Sequence, residues 1–211
     1  GRTFYDLKLQ RGLRLWDTYL RIPSREGGRP DAFIATLNVT RIQKTQFFKS
    51  YFTIKWSGQI TDKRVLASGK KLVGGMGSVR GYTLAEVSGD YGYNTSIDYT
   101  IPFPKPIKLF KDFPTLDQIL SFNMFVDYAK VFTRDKLDAD SPDDEISSYG
   151  VGATLNIPKK QGKYPGFSFA ISYAQPIPGM DEPARSTGGF GPSSPFPTPR
   201  GTVYLSSMIR Y

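Results

Sequence analysis

Arg80 is the side chain of this sequence that is best suited to a specific chemical interaction. It lies in a segment of mostly small residues, Gly74-Gly75-Met76-Gly77-Ser78-Val79-Arg80-Gly81-Tyr82. A guanidinium group is a planar donor that can bind a carboxylate through two parallel hydrogen bonds, and it stays charged at any workable pH. Glycines let a backbone turn sharply and pass close to a neighbouring wall. The predicted chemistry is therefore an ionic contact that fixes a loop in place.

Two carboxylates that follow this loop are placed to receive the arginine. Residues 93–101 alternate between mostly apolar side chains at odd positions and polar ones, including Asp98, at even positions. Residues 120–128 also alternate, and Asp127 falls on their polar face. Successive side chains of a strand point to opposite faces. A loop folded against the polar face of such a sheet would bring Arg80 to both carboxylates.

The same alternation recurs in eight segments, residues 5–15, 33–39, 52–60, 93–101, 120–128, 149–157, 167–173 and 203–211. A strand of ~9–11 residues is long enough to cross a bilayer when it is tilted. Polar faces rich in Gly, Ser and Thr are typical of a barrel wall that faces water. The predicted fold is an all-β, antiparallel transmembrane β-barrel with eight strands in this chain. Arg41 and Arg11 fall on apolar faces. Arg41 would snorkel from a strand end, and Arg11 would require a β-bulge at Gly12.

The amino-acid composition argues against several classes of protein. The 211 residues carry a net charge of +9 and contain no Cys and no His. No apolar run approaches the ~20 residues of a transmembrane helix, which excludes an α-helical membrane protein. The lack of His, of Gly-x-Ser-x-Gly and of a phosphate-binding loop argues against an enzyme. The acidic residues 135–145 lack the spacing of a calcium loop. We therefore expect no catalytic residue, no metal and no cofactor.

The basic residues are scattered singly, without the aromatic-flanked clusters of a nucleic-acid interface. Phosphorylated lipid headgroups or an ion-selective interior fit the charge equally well, and a solubilising basic surface is the alternative. Connections 21–30, 61–90, 133–145 and 176–201 are long, whereas 44–49 and 158–166 are short and 102–114 is an exception. Outer-membrane barrels have long external loops, so both chain ends would face the periplasm. The start at Gly1 without a signal peptide indicates a mature form or a fragment.

These motifs resemble a known superfamily. Val79-Arg80-Gly81-Tyr82 is similar to the loop signature of the BamA and TpsB outer-membrane barrels. Phe125-Val126-Asp127-Tyr128-Ala129 resembles the partner motif on a later strand, with Ala129 where glycine is usual, and Asp98 falls where a glutamate is usual. Further segments look more like the two-partner secretion transporters (TpsB, of the ShlB and FhaC type) than BamA: Arg11-Gly12-Leu13, Ser57-Gly58-Gln59, Ser88-Gly89-Asp90, Tyr173-Ala174-Gln175-Pro176, and an assembly signal with Ile209 and Tyr211.

The resemblance implies an architecture. Loop 61–90 would fold into the barrel lumen, where Arg80 would contact Asp127, Asp98 and Phe125. Residues 1–211 would be a partial barrel domain, the C-terminal half of sixteen strands, with no POTRA domain in this chain. A closed eight-stranded barrel is filled by its own side chains. The remaining strands would therefore come from a missing segment or from another chain.

The resemblance also implies a function. The protein would be an outer-membrane pore that secretes an unfolded partner exoprotein, an adhesin or haemolysin, without enzymatic chemistry. The expected partners are that exoprotein and outer-membrane lipid or lipopolysaccharide, and not nucleic acid. Two alternatives share the motif loop: a BamA-like insertase that assembles other barrels, and a barrel that carries and anchors a fused secreted enzyme.

Overall fold

A computed structural model describes residues 1–13, 24–108, 113–137, 143–159, 165–177 and 201–210. Eight strands form one sheet: β1 (Arg2–Arg11), β2 (Phe33–Lys44), β3 (Tyr51–Thr61), β6 (Tyr91–Pro102), β7 (Leu120–Phe132), β8 (Asp144–Ile157), β9 (Gly166–Pro176) and β10 (Thr202–Arg210). Two short strands, β4 (Lys71–Val73) and β5 (Val87–Gly89), pair with each other between β3 and β6. The prediction of an all-β, antiparallel chain is confirmed.

The sheet is a simple meander. Each long strand pairs antiparallel with the next long strand along the chain, in the order β1-β2-β3-β6-β7-β8-β9-β10. Within the described residues, the first and last strands do not pair with each other. One short α-helix, α1 (Leu116–Ile119), precedes β7. In the same described part of the chain, no helix has the length and apolar character needed to cross a bilayer.

The two faces of the sheet are packed in the reverse of the usual arrangement. In the register of β6 with β7, Ile97 lies opposite Val126, and Ser96 lies opposite Asp127. Ile97 and Val126 are exposed, whereas Ser96 and Asp127 are buried. A sheet in water normally hides its apolar face. Here the apolar face is open and the polar face is covered, which is the pattern expected for a wall in contact with lipid.

A small core lies on the covered, polar face. Three valines of the long loop between β3 and β6 pack there with three apolar residues of the wall, and Tyr82 packs against the cluster; the six are Val73, Val79, Val87, Ala129, Val131 and Ile146. The loop contains a short 3₁₀ turn, Ala67–Gly69, followed by the β4–β5 pair. Its own hydrophobic contacts therefore hold the loop against β7 and β8.

The structure shows where the two arginines that were predicted on apolar faces lie. The register of β1 with β2 runs without interruption to the pair Arg11 and Phe33, so the predicted bulge at Gly12 is wrong. Arg11 is the last residue of β1 and needs no bulge, because a strand end lets its side chain leave the apolar face. Arg41 lies three positions before the end of β2 and is exposed. Residues 14–15, predicted as the end of the first strand, lie outside the described residues.

The core on the polar face leads to a prediction about Ile146, which is 1% exposed. Ile146→Ala removes wall contacts of the loop, and we expect it to weaken docking of residues 62–90 by about 2 kcal/mol. The undocked population would rise roughly thirtyfold, measured as the rate of tryptic cleavage within the loop. Val151→Ala, on the same strand but 58% exposed on the other face, is the matched control and should leave the rate unchanged. Equal rates for the two variants would contradict the assignment.

Candidate functional site

The loop tip reaches the wall through backbone conformations that favour glycine. Gly74, Gly75 and Gly81 have φ of 121°, 84° and 95°, in the region that L side chains rarely adopt. A Cβ at Gly74 would also lie 2.4 Å from the carbonyl oxygen of Thr83. Gly77 differs, because its φ is not positive and a Cβ there would meet nothing within 4 Å. The geometry gives Gly77 no role that requires glycine.

The centre of the site is the contact between Arg80 and Asp127. Nε of Arg80 donates to Oδ2 of Asp127 at 2.7 Å, and Nη2 donates to Oδ1 at 2.7 Å. The backbone N–H of Arg80 donates to Oδ2 as well, at 3.0 Å. The Asp127 side chain is fully buried. Guanidinium and carboxylate thus form a bidentate pair, the strongest arrangement available to these groups.

Three wall residues complete the surroundings of the guanidinium. Nη1 of Arg80 donates to Oδ1 of Asp98 at 2.9 Å, and Nη2 donates to Oγ of Ser96 at 2.9 Å. Phe125 lies below the group, with its ring centroid 3.4 Å from Cζ of Arg80. A cation over an aromatic face gains electrostatic attraction, and Arg is the commoner partner. The structure therefore brings all three predicted wall residues, Asp127, Asp98 and Phe125, to the loop arginine.

The surroundings of Arg80 stabilise the charged form of its guanidinium group. Burial by itself would lower the pKa of the Arg80 guanidinium, but the hydrogen bonds to Asp127 and Asp98 outweigh it and raise the pKa above its ordinary value. Two carboxylates face one guanidinium, and the Ser96 hydroxyl stabilises the second of them by donating to Oδ2 of Asp98 at 3.2 Å. The site therefore keeps Arg80 charged and can hold the loop against the wall.

The rest of the motif reaches the far strands of the sheet. The N–H of Gly81 donates to the hydroxyl oxygen of Tyr204 at 2.8 Å, and Thr202 Oγ1 donates to the Gly81 carbonyl at 3.2 Å. The Tyr82 hydroxyl donates to the carbonyl of Ser147 at 3.1 Å. The four motif residues thus contact β6, β7, β8 and β10 together. In the assembly signal, Ile209 pairs with Phe167, and Tyr211 lies outside the described residues.

Ala129 explains one departure from the partner motif. Its side chain is fully buried in the core on the polar face, beside the valines of the loop. Where the family usually has glycine, this chain uses a methyl group to fill space under the loop.

A second anchor, which the sequence reasoning did not assign, lies at the base of the loop. Asp90 is fully buried, and its Oδ1 accepts from Arg25 Nη1 at 2.5 Å and from the Val65 N–H at 3.1 Å. Its Oδ2 accepts from the N–H of Arg134 at 2.8 Å. Asp90 therefore ties three connections together, those after β1, β3 and β7. The signal in the sequence was Ser88-Gly89-Asp90, an acidic residue directly after a glycine and before a strand.

Arg64 reinforces this second anchor. Its Nε donates to the carbonyl of Glu26 at 2.8 Å, and its Nη1 donates to the carbonyl of Asp135 at 2.9 Å. The Arg29 N–H in turn donates to the Arg64 carbonyl at 2.8 Å. These are the same three connections that Asp90 joins. A buried acid and a buried arginine thus fasten the loops at one end of the sheet.

The fold and the site together define a class: an all-β wall with an exposed apolar face, whose polar face carries a long loop pinned by an arginine that binds a buried aspartate. The sequence model of the haemolysin secretion/activation proteins ShlB/FhaC/HecB matches residues 1–155, and the chain belongs to this family. Its members are outer-membrane transporters of two-partner secretion. A search of curated proteins finds no match. The prediction of the TpsB branch is confirmed.

The unequal contacts of the two carboxylates lead to a prediction. Asp127 accepts three hydrogen bonds from Arg80 and Asp98 accepts one. Asp127→Asn breaks a buried ion pair, and we expect a loss of about 3–5 kcal/mol in loop docking. Asp98→Asn should cost less, about 1.5 kcal/mol. Hydrogen exchange of the amides of residues 74–90 measures both.

The matched control for these variants is Asp6→Asn. Asp6 is an exposed strand carboxylate that accepts from Asn38 Nδ2 at 3.1 Å, and its loss should not change exchange in the loop. Equal effects of the Asp98 and Asp127 variants would show that the bidentate geometry contributes nothing.

Lys71, in β4 of the loop, gives a pH-dependent prediction. Burial lowers the pKa of its ammonium group to about 8, and Nζ lies 3.3 Å from Oγ of Ser57 on the wall. In the unfolded chain the pKa of Lys71 keeps its ordinary value of ~10.4. Protonated Lys71 therefore destabilises the folded state most strongly below about pH 8. This destabilisation decreases as the pH rises and is lost near pH ~10.4. Competitive acetylation followed by mass spectrometry should show Lys71 titrating near pH 8 when folded, and at the ordinary value in denaturant. Identical curves would contradict this.

Proposed function

We propose that this chain forms part of an outer-membrane pore that secretes an unfolded partner exoprotein without enzymatic chemistry. The observation that carries the proposal is the bidentate contact of Arg80 with the buried Asp127, in a chain of the two-partner secretion family. A loop held against the polar face by a charged pair serves conformation and not bond chemistry. Among the described residues, no cluster of acidic residues could hold a metal ion.

The surface beside the loop tip supports passage of a polypeptide. A cavity of about 320 Å³ lies between the tip and the wall. Most of its wall residues carry hydroxyl or amide groups, namely Tyr51, Thr53, Asn94, Ser96, Thr100, Ser121, Asn123 and Thr154. Such groups exchange weak hydrogen bonds with an unfolded backbone and offer few apolar surfaces to retain it. Folding of the exoprotein outside the cell would draw the chain outward, since the outer membrane has no nucleotide supply.

The two edges of the sheet support a larger barrel. β1 and β10 are edge strands in the described structure, and unpaired backbone groups in lipid cost several kcal/mol each. A barrel closed from eight strands alone is filled by its own side chains, which conflicts with a loop of nearly thirty residues on the polar face. We infer sixteen strands, with the polar face as the lumen, the remaining strands from a missing segment or another chain, and both ends of this chain in the periplasm.

Secretion tests the proposal directly. Cells producing the full-length transporter should release at least one exoprotein that cells lacking it do not. Arg80→Ala should reduce that protein in the medium by roughly tenfold or more, because losing one partner of a buried pair costs about 3–5 kcal/mol. Secretion by the Arg80→Lys variant should lie between that of wild type and that of Arg80→Ala, since lysine keeps the charge but cannot form the bidentate contact. Single-channel conductance in planar bilayers gives a second readout without the exoprotein.

The control for assembly is Lys136→Gln, which removes a half-exposed ion pair with Asp143 in the connection after β7. All variants are compared at equal outer-membrane levels and after the heat-dependent shift in gel mobility that marks a folded barrel. If Arg80→Ala and Asp127→Asn each leave secretion and conductance unchanged, the contact has no functional role. A wild-type transporter that releases no specific protein would overturn the proposal itself.

A further inference from the structure

The turn between β2 and β3 has a feature that secretion does not explain. At its tip, Phe47 and Phe48 leave 73% and 70% of their surface exposed. Phe48 and Lys49 also have φ of 50° and 54°, a left-handed conformation in which turns usually place Gly or Asn. Two exposed phenylalanines, one of them in unfavourable backbone geometry, are poor choices for a segment that only reverses the chain.

The turn is nonetheless firmly built. The Thr45 N–H donates to the Ser50 carbonyl at 2.9 Å, and the Ser50 N–H donates to the Phe47 carbonyl at 2.9 Å. The hydroxyl of Ser50 donates to the same Phe47 carbonyl at 2.6 Å and lies 2.5 Å from Thr45 Oγ1. These bonds hold the strained residues in place, and strain retained in this way indicates a function.

The turn continues the exposed apolar face of the sheet. Oγ of Ser50 lies 2.8 Å from the hydroxyl oxygen of Tyr99, and the Tyr99 ring packs on Phe52 with centroids 4.6 Å apart. Both rings belong to the apolar alternation of β6 and β3. Aromatic side chains with a polar tip concentrate at the boundary between hydrocarbon and headgroups. The turn therefore lies where the apolar band of the sheet ends.

Cations accompany the aromatic rings. The Lys49 side chain is 87% exposed and lies 3.9 Å from Oδ2 of Asp117, too far for a strong contact at an exposed site. Arg41 lies on the apolar face, and its Nη2 donates to Oε1 of Gln43 at 2.9 Å. Gln43 is two positions nearer the turn, so the guanidinium is directed towards that end, as a cation that reaches for headgroups would be.

We propose that residues 45–50 form a membrane-interface anchor, in which Phe47 and Phe48 insert at the headgroup boundary and Arg41 and Lys49 bind phosphates of anionic phospholipids. Exposed aromatic rings favour the interface, and each nearby cation adds attraction to a negative lipid surface. The anchor would fix the depth of β2 and β3 in the bilayer. The anchor uses no residue of the arginine site, so its test is independent of the test of secretion.

Spin labels test the aromatic half of the proposal. These 211 residues contain no Cys, so F47C and F48C can each be labelled in the full-length protein after any cysteine outside them is replaced. In vesicles of phosphatidylethanolamine and phosphatidylglycerol, both labels should be accessible to oxygen and protected from a water-soluble nickel chelate. A label on L84C, at a loop position that is 86% exposed on the wild-type side chain, is the control and should show the opposite.

Two results would overturn the aromatic half. One is nickel accessibility of both turn labels equal to that of L84C. The other is protection that appears only after periplasmic extract is added, which would assign the turn to a protein partner. Phe48→Gly keeps the test independent of folding defects, because it relieves the left-handed backbone. It should fold at least as well as wild type while a label on F47C in the same chain moves towards water.

Lipid retention tests the cationic half. The purified protein in detergent is offered phosphatidylglycerol and phosphatidylcholine, and the retained lipid is read by native mass spectrometry. R41Q and K49Q should each reduce the preference for phosphatidylglycerol about fivefold, and K136Q, in the connection after β7, should not. An unchanged preference in the double variant R41Q/K49Q would overturn the binding of anionic headgroups.

Discussion

The structure depends on one buried charge pair. Asp127 is fully buried and accepts three hydrogen bonds from Arg80. An isolated buried carboxylate is costly, and so is an isolated guanidinium, so each group makes the other tolerable only while the loop is docked. The pair is fully satisfied with the loop in place, and separating its members without admitting water would be strongly unfavourable. Water entering the polar face is what would make release feasible.

The core of this protein exists because of that docking. The sheet turns its apolar face outward, so none of the usual sheet packing is available to bury hydrophobic residues in water. The loop replaces it by bringing Val73, Val79 and Val87 onto the polar face, where Val131 and Ile146 meet them. The charge pair sets where the loop lies, and the hydrophobic cluster sets how firmly. The hydrogen bonds of Gly81 and Tyr82 to β10 and β8 add to both.

Strict alternation made the sheet predictable from the sequence, because a period of two assigns every side chain to a face. That assignment placed Asp98 and Asp127 on one face, where a docked loop could bring Arg80, and the structure has the three in contact. Other features carry no such period. The three-residue strands β4 and β5 are too short to show one, and the partners of Asp90 lie 25 to 65 residues away. The bulge expected at Gly12 was wrong because the strand end, which periodicity locates poorly, falls one residue earlier.

The two anchors of the loop differ in what they hold, and this limits how the loop can move. Asp90 binds the Val65 N–H and Arg25 at the base, where several connections meet, whereas Arg80 binds the wall at the tip. Releasing the tip breaks the contacts of Arg80, Gly81 and Tyr82 but none of those made by Asp90. The β4–β5 pair lies between them and has backbone pairing of its own. The tip and the base are therefore held by separate sets of contacts, so breaking those at the tip leaves the buried acid and its partners in place.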